Sequence, residues 1–170
     1  MRTPICIFDA KNGILCPQCE SKLDSGKLTK ADVEAAIKLV SLGQKNPQIE
    51  KFTLNSCQES VGNYVLYLSH DDIMTIRQSR ELHRLLQNEF PGKIWLVEEG
   101  ASDKTFLADL FFPTKILAIN SVWAPGGIQK TKVIVSGKKT PRFPIDIDKV
   151  ISIAKNLRGI DLAVEFEVKH

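Results

Sequence analysis

The chain has 170 residues, of which 43% are hydrophobic and 25% charged. That suffices for one ordinary domain or for two compact modules of about 70 residues, each with a modest core. Its 23 Lys and Arg exceed its 20 Asp and Glu by only 3, so charge alone demands no polyanionic partner and permits one only where basic residues cluster. No apolar run approaches the roughly 18 residues of a membrane span, and the start lacks a secretory apolar segment, so the cytoplasm is the expected setting.

Residues 4–9 can extend, Lys11-Asn12-Gly13 is a turn signal, and Cys16-Pro17-Gln18-Cys19 follows. The opening 28 residues therefore read as a small hairpin closing on a cysteine knuckle, with a polar connection after it. Two thiolates at this spacing reach one zinc ion, and a zinc knuckle would staple a segment too small for its own core. Cys6 is the candidate third ligand, and Cys57 a fourth if the hairpin packs on the first strand. The alternative is that Cys6 and Cys57 are small buried apolar residues and the knuckle thiols are merely reduced.

From Thr29 a helix is expected. Thr29 and Asp32 fit a capping box, Val33, Ala36, Ile37 and Val40 share one face, and Gly43 is the stop signal. Strands follow over residues 50–57, where Phe52 and Leu54 alternate with polar neighbours, and over residues 63–69, where Tyr64, Leu66 and Leu68 share a face. A short helix with Ile73 and Ile76 then leads through Arg77-Gln78-Ser79-Arg80 into a second with Leu82, Leu85 and Leu86, and residues 93–97 close the set.

The order then recurs. Phe106, Leu107, Leu110 and Phe111 make a helical face that Pro113 ends, residues 115–123 read as a strand, Pro125-Gly126-Gly127 turns the chain, and residues 128–135 return. Residues 136–144 are basic, and two prolines limit any helix there to a turn. A helix from about Asp146 stops at Gly159, and Leu162, Val164, Phe166 and Val168 alternate with polar residues in a last strand.

The prediction is thus an α+β protein with a hairpin segment over residues 1–28 and two modules, 29–100 and 101–170. Each runs helix, strand, strand, helical or basic joint, helix, strand, the order of a type II KH module with a three-stranded mixed sheet and helices on one face. With this order, the opening PICIFDAKNGILCPQCESKLDSG, the VEEG of residues 97–100 and the AINSVWAPGG of residues 118–127, the chain resembles the archaeal NusA-like proteins. These are short relatives of the tandem KH region of the bacterial transcription factor NusA. The resemblance implies contact with nascent single-stranded RNA in transcription termination or elongation, RNA polymerase as a further partner, and no catalytic activity.

KH modules clamp about four nucleotides, with a GxxG loop bringing backbone amides to the phosphates. This chain has Arg77-Gln78-Ser79-Arg80 there, and its second module has only the segment carrying Lys138, Lys139 and Arg142. RNA contact would then rest on cationic side chains. The rival reading is a protein-interaction scaffold, docking on RNA polymerase or a ribonucleoprotein, that has lost RNA binding.

Nothing else in the sequence points to chemistry. His70, His83 and His170 are scattered, Asp71-Asp72 and Glu98-Glu99 are adjacent carboxylates that point apart, and Trp95 reads as core. No phosphate-loop, nucleophile-elbow or dinucleotide motif occurs, so no small-molecule substrate is expected.

Overall fold

The computed structural model describes residues 1–167. Val168, expected in the last strand, and Lys169 and His170 lie outside the described residues. The chain divides into two compact units, Met1–Gly100 and Ala101–His170.

The first unit does not open with a β-hairpin. Helices α1 (Ile7–Asn12) and α2 (Pro17–Asp24) occupy the segment, with Gly13 ending α1 in the left-handed region at φ 74° and Pro17 opening α2. The turn signal at Lys11-Asn12-Gly13 is therefore a helix stop, and proline at a first helical position costs no hydrogen bond.

Helix α3 (Lys30–Lys45) begins at the expected capping box, in which the Thr29 side chain accepts from Asp32 N–H and Asp32 Oδ2 accepts from Thr29 N–H at 2.9 Å. It continues past Gly43, which packs against Glu50: a Cβ there would lie 3.2 Å from the Glu50 Cα. Gly43 thus serves a close approach and not a stop. Asn46 caps the one-turn helix α4 (Pro47–Glu50), so the first strand, β1 (Leu54–Ser60), starts later than residue 50.

Strand β2 (Asn63–Leu68) pairs antiparallel with β1 and parallel with β3 (Ile94–Glu98), giving a mixed sheet in the order β1-β2-β3. Helices α5 (His70–Arg77) and α6 (Arg80–Glu89), capped by Ser69 and Ser79, make the crossover that a parallel pair requires. Leu39, Leu54, Leu66, Leu68, Ile73, Ile76 and Leu86 are essentially inaccessible in one core that also takes in Ile5, Ala10 and Cys19. Each such aliphatic side chain contributes about 1.5–3 kcal/mol by burial.

The second unit repeats the plan with one helix fewer. Helix α7 (Asp103–Phe111) precedes β4 (Ile116–Ala124) and β5 (Ile128–Val135), an antiparallel pair, and α8 (Ile147–Arg158) leads to β6 (Leu162–Phe166), parallel to β5. Its core is Phe106, Leu107, Leu110, Phe111, Val133, Val135, Val150 and Ile153. Arg158 ties the end of α8 to the start of α7, donating to Asp103 Oδ1 and to Ala101 O while lying over the Phe106 ring. No helix among the described residues is long and apolar enough to cross a membrane.

Candidate functional site

The thiols gather around helix starts. Cys6 immediately precedes α1 and Asp9 sits in its first turn; Cys16 immediately precedes α2 and Cys19 sits in its first turn. Both pairs have three-residue spacing across a helix start, which brings the two side chains to the same side. The first helical hydrogen bonds, Ala10 N–H to Cys6 O and Glu20 N–H to Cys16 O, hold both starts rigid.

The ligand atoms of Cys6, Asp9, Cys16 and Cys19 all lie within 4.8 Å of one another, and this cluster could hold a metal ion. Tetrahedral zinc with three thiolates sets sulfur atoms about 3.8 Å apart, so only a small contraction is needed. Asp9, not Cys57, is the fourth member. Cys57 lies on β1, fully buried, where its backbone N–H donates to Asp32 Oδ1 at 2.7 Å and burial pushes its thiol up to about 12. The alternative reading of Cys57 as a small core residue is the one the fold bears out. Cys6 is exposed and joins the cluster.

Asp9 is 1% exposed and accepts from the Cys16 N–H at 2.8 Å. That backbone bond is the main cause holding its carboxyl down to about 2, and thiol hydrogen bonds add to it against the opposing effect of burial. The Cys19 thiol is pushed up to about 12. A backbone hydrogen bond at Cys6 favours its thiolate, but burial and the hydrogen bonds with Asp9, Cys16 and Cys6 outweigh it. Without a cation, the Cys6 and Cys19 thiols are thus held protonated beside a buried carboxylate. A divalent ion would displace those protons.

Of the predicted RNA-contacting residues, the structure treats the two groups differently. Arg77 ends α5 and is half-buried, Ser79 caps α6, and Gln78 and Arg80 are exposed. The Gln78 and Ser79 amides already donate to Met74 O and Ile76 O, and Ser79 Oγ accepts from Leu82 N–H. This joint therefore offers a ligand side chains and not those two amides.

In the second unit Lys138 and Arg142 line one pocket of about 480 Å³, together with Lys115, Thr114, Ser136 and Thr140 over an apolar floor that includes Phe143. Lys139 is exposed beside it but does not line it. Lys115 was missed by the sequence reading. It arrives because Ser136 N–H donates to Lys115 O at 3.0 Å, joining the end of β5 to the start of β4. Residues 110–145 contain no acid at all, against Lys115, Lys130, Lys132, Lys138, Lys139 and Arg142. Lys132 pairs with Glu165 at 3.1 Å, and the others are a run of positive charge in the sequence that the nearly balanced total conceals.

Two α+β units in the order of type II KH modules, the first carrying a cysteine and aspartate cluster, define a tandem KH-like architecture. The chain is similar to the crystal structure of APE1850, with 16% identity over 76% of this chain and 95% of that one, at a TM-score of 0.46. No protein-family model matches the chain, and no curated protein sequence does either.

Proposed function

We propose that this protein is a NusA-like factor that binds nascent single-stranded RNA during transcription termination or elongation, with RNA polymerase as its protein partner. The observation that carries the reading is the basic pocket. Three cations, one just before β4 and two from the 136–144 loop, line one concavity with three hydroxyls, in a stretch of sequence free of acids. Phosphate oxygens need such donors, and the half-buried Phe143 ring supplies an apolar surface for a base.

The metal cluster of the first unit takes a structural role in this reading, with zinc as the ion. Three thiolates and one carboxylate suit zinc, and a closed four-ligand set leaves no open position for chemistry. Cys19, one of its members, joins the main core with Ile5 and Ala10, and α1 packs on α3, so the ion would fasten α2 to α1 and through it to the core.

The test is direct binding of a single-stranded oligoribonucleotide to the full chain and to the Lys138→Ala/Arg142→Ala variant. Removing two phosphate contacts is expected to weaken binding and to lower the log–log salt slope by about 1.4. Equal affinity and slope for both proteins would set the pocket aside as the RNA site.

A second reading, a protein scaffold without RNA binding, draws on the 77–80 joint, whose Gln78 and Ser79 amides are already taken within the helices. The two readings part on the oligonucleotide measurement, since a scaffold gives no salt-dependent association.

A further inference from the structure

The basic pocket does not end at the 136–144 loop. Thr114 and Lys115 also line a larger groove of about 730 Å³ between α7 and β4, whose walls include Lys104, Leu107, Ile119, Ser121 and Thr131. Asp103 is the one carboxylate in that lining, and the Arg158 guanidinium neutralises it at 2.9 Å. What remains in the groove is two lysines, hydroxyls and aliphatic surface.

The register of β4 carries this surface onward. Ile119 faces Val133, Ser121 faces Thr131 and Trp123 faces Gln129 across the antiparallel pair. Residues two apart on a strand share a side, so Trp123 stands on the same side as the fully buried Val133. It lies nearer the turn, however, and is 71% exposed. A large aromatic ring left open at the end of a groove with net positive charge fits a polyanion carrying flat apolar groups. Single-stranded nucleic acid has that chemistry, whereas an apolar protein segment makes no use of the lysines.

We propose that single-stranded RNA follows this track, from the basic pocket past Lys115 and along β4 to Trp123, where a base stacks on the indole. The inference rests on the RNA-binding reading and extends it: from Ile116 to Trp123 the strand alone spans about 24 Å, and the basic pocket lengthens the track beyond it, so the whole footprint exceeds the roughly four nucleotides a KH clamp holds.

Trp123 can report on itself, because Trp95 is buried and Trp123 is open. The experiment titrates the full chain with a mixed-sequence tetranucleotide and a dodecanucleotide, following labelled-RNA anisotropy and tryptophan emission separately. The dodecanucleotide is expected to quench Trp123. Trp123→Ala should then weaken its binding at least about fivefold with tetranucleotide binding unchanged, while Trp123→Phe retains most of the affinity. Dodecanucleotide binding that leaves emission and the alanine variant unaffected overturns the track and leaves RNA binding at the pocket standing. An equal loss with both oligomers also overturns it, since Trp123 would then belong to the short clamp. Emission that answers to RNA polymerase and not to RNA assigns the surface to a protein and overturns it as well. Absence of binding by either oligomer sinks both readings together.

Discussion

The Asp9 carboxylate accepts the backbone N–H of Cys16 at 2.8 Å, joining the first turn of α1 to the residue that starts α2. This one bond closes the loop between two very short helices and places both cysteine-bearing helix starts around a common point. Because the folded carboxyl lies at about 2, below its ordinary value of 3.8, the stability it lends is present above pH 4 and lost as pH falls through about 2. In metal-free protein, amide exchange in residues 7–24 should accelerate across that window before the rest of the unit responds. Asp9→Asn should remove the pH dependence of this opening.

Zinc binding should release protons. The Cys19 thiol sits at about 12 and the Cys6 thiol is also raised, so a divalent ion must expel them to bind thiolate. Calorimetry of zinc binding in two buffers of different ionisation enthalpy should show about three protons released at neutral pH, one per thiol. Cys16→Ser and Cys19→Ser should abolish stoichiometric zinc and lower the melting temperature. Cys57→Ala should keep one zinc per chain and cost about 1 kcal/mol as a small buried cavity.

Asp32 joins a helix cap to a strand. Its two oxygens accept from Thr29 N–H and from the buried Cys57 N–H, so the side chain fixes the start of α3 against β1. Asp32→Ala keeps the Thr29 cap but loses the reciprocal half of the capping box and strands the buried Cys57 N–H. The expected cost is about 2–4 kcal/mol in denaturant unfolding, with helix content otherwise retained.

Gly92 allows the turn before β3 to touch the β1–β2 turn. A Cβ at this position would collide with the Gly62 carbonyl, which is backbone and cannot swing aside. Gly92→Ala should destabilise the first unit by about 3 kcal/mol or more, read as a lowered denaturation midpoint.

The architecture was legible where local signals agreed with tertiary burial. The Thr29 and Asp32 box, the Ser69 cap and the Gly159 stop each combine a side-chain preference with the matching apolar period, and β2 was marked by its apolar run, which the fold buries on both faces. Residues 4–24 misled for the opposite reason. Helices α1 and α2 have 6 and 8 residues, too few to show a period, and each starts at a cysteine, which is no ordinary cap.

The site was legible in part. Lys138 and Arg142 were marked by sequence clustering, but Lys115 joins them only through the pairing of β4 with β5, and no local pattern contains that. Asp9 did leave a signal: Cys6-x-x-Asp9 has the spacing of Cys16-x-x-Cys19. The carboxylate stands where the second cysteine of a paired CxxC would stand.

The central claim is that cations of the second unit hold single-stranded RNA. Its most direct test is the affinity of the full, zinc-loaded chain for a single-stranded oligoribonucleotide at two salt concentrations. The account predicts measurable binding at low salt that weakens steeply as salt rises, with a slope of about −2 for three phosphate contacts at Lys115, Lys138 and Arg142. No association at low salt, or association indifferent to salt, would contradict it.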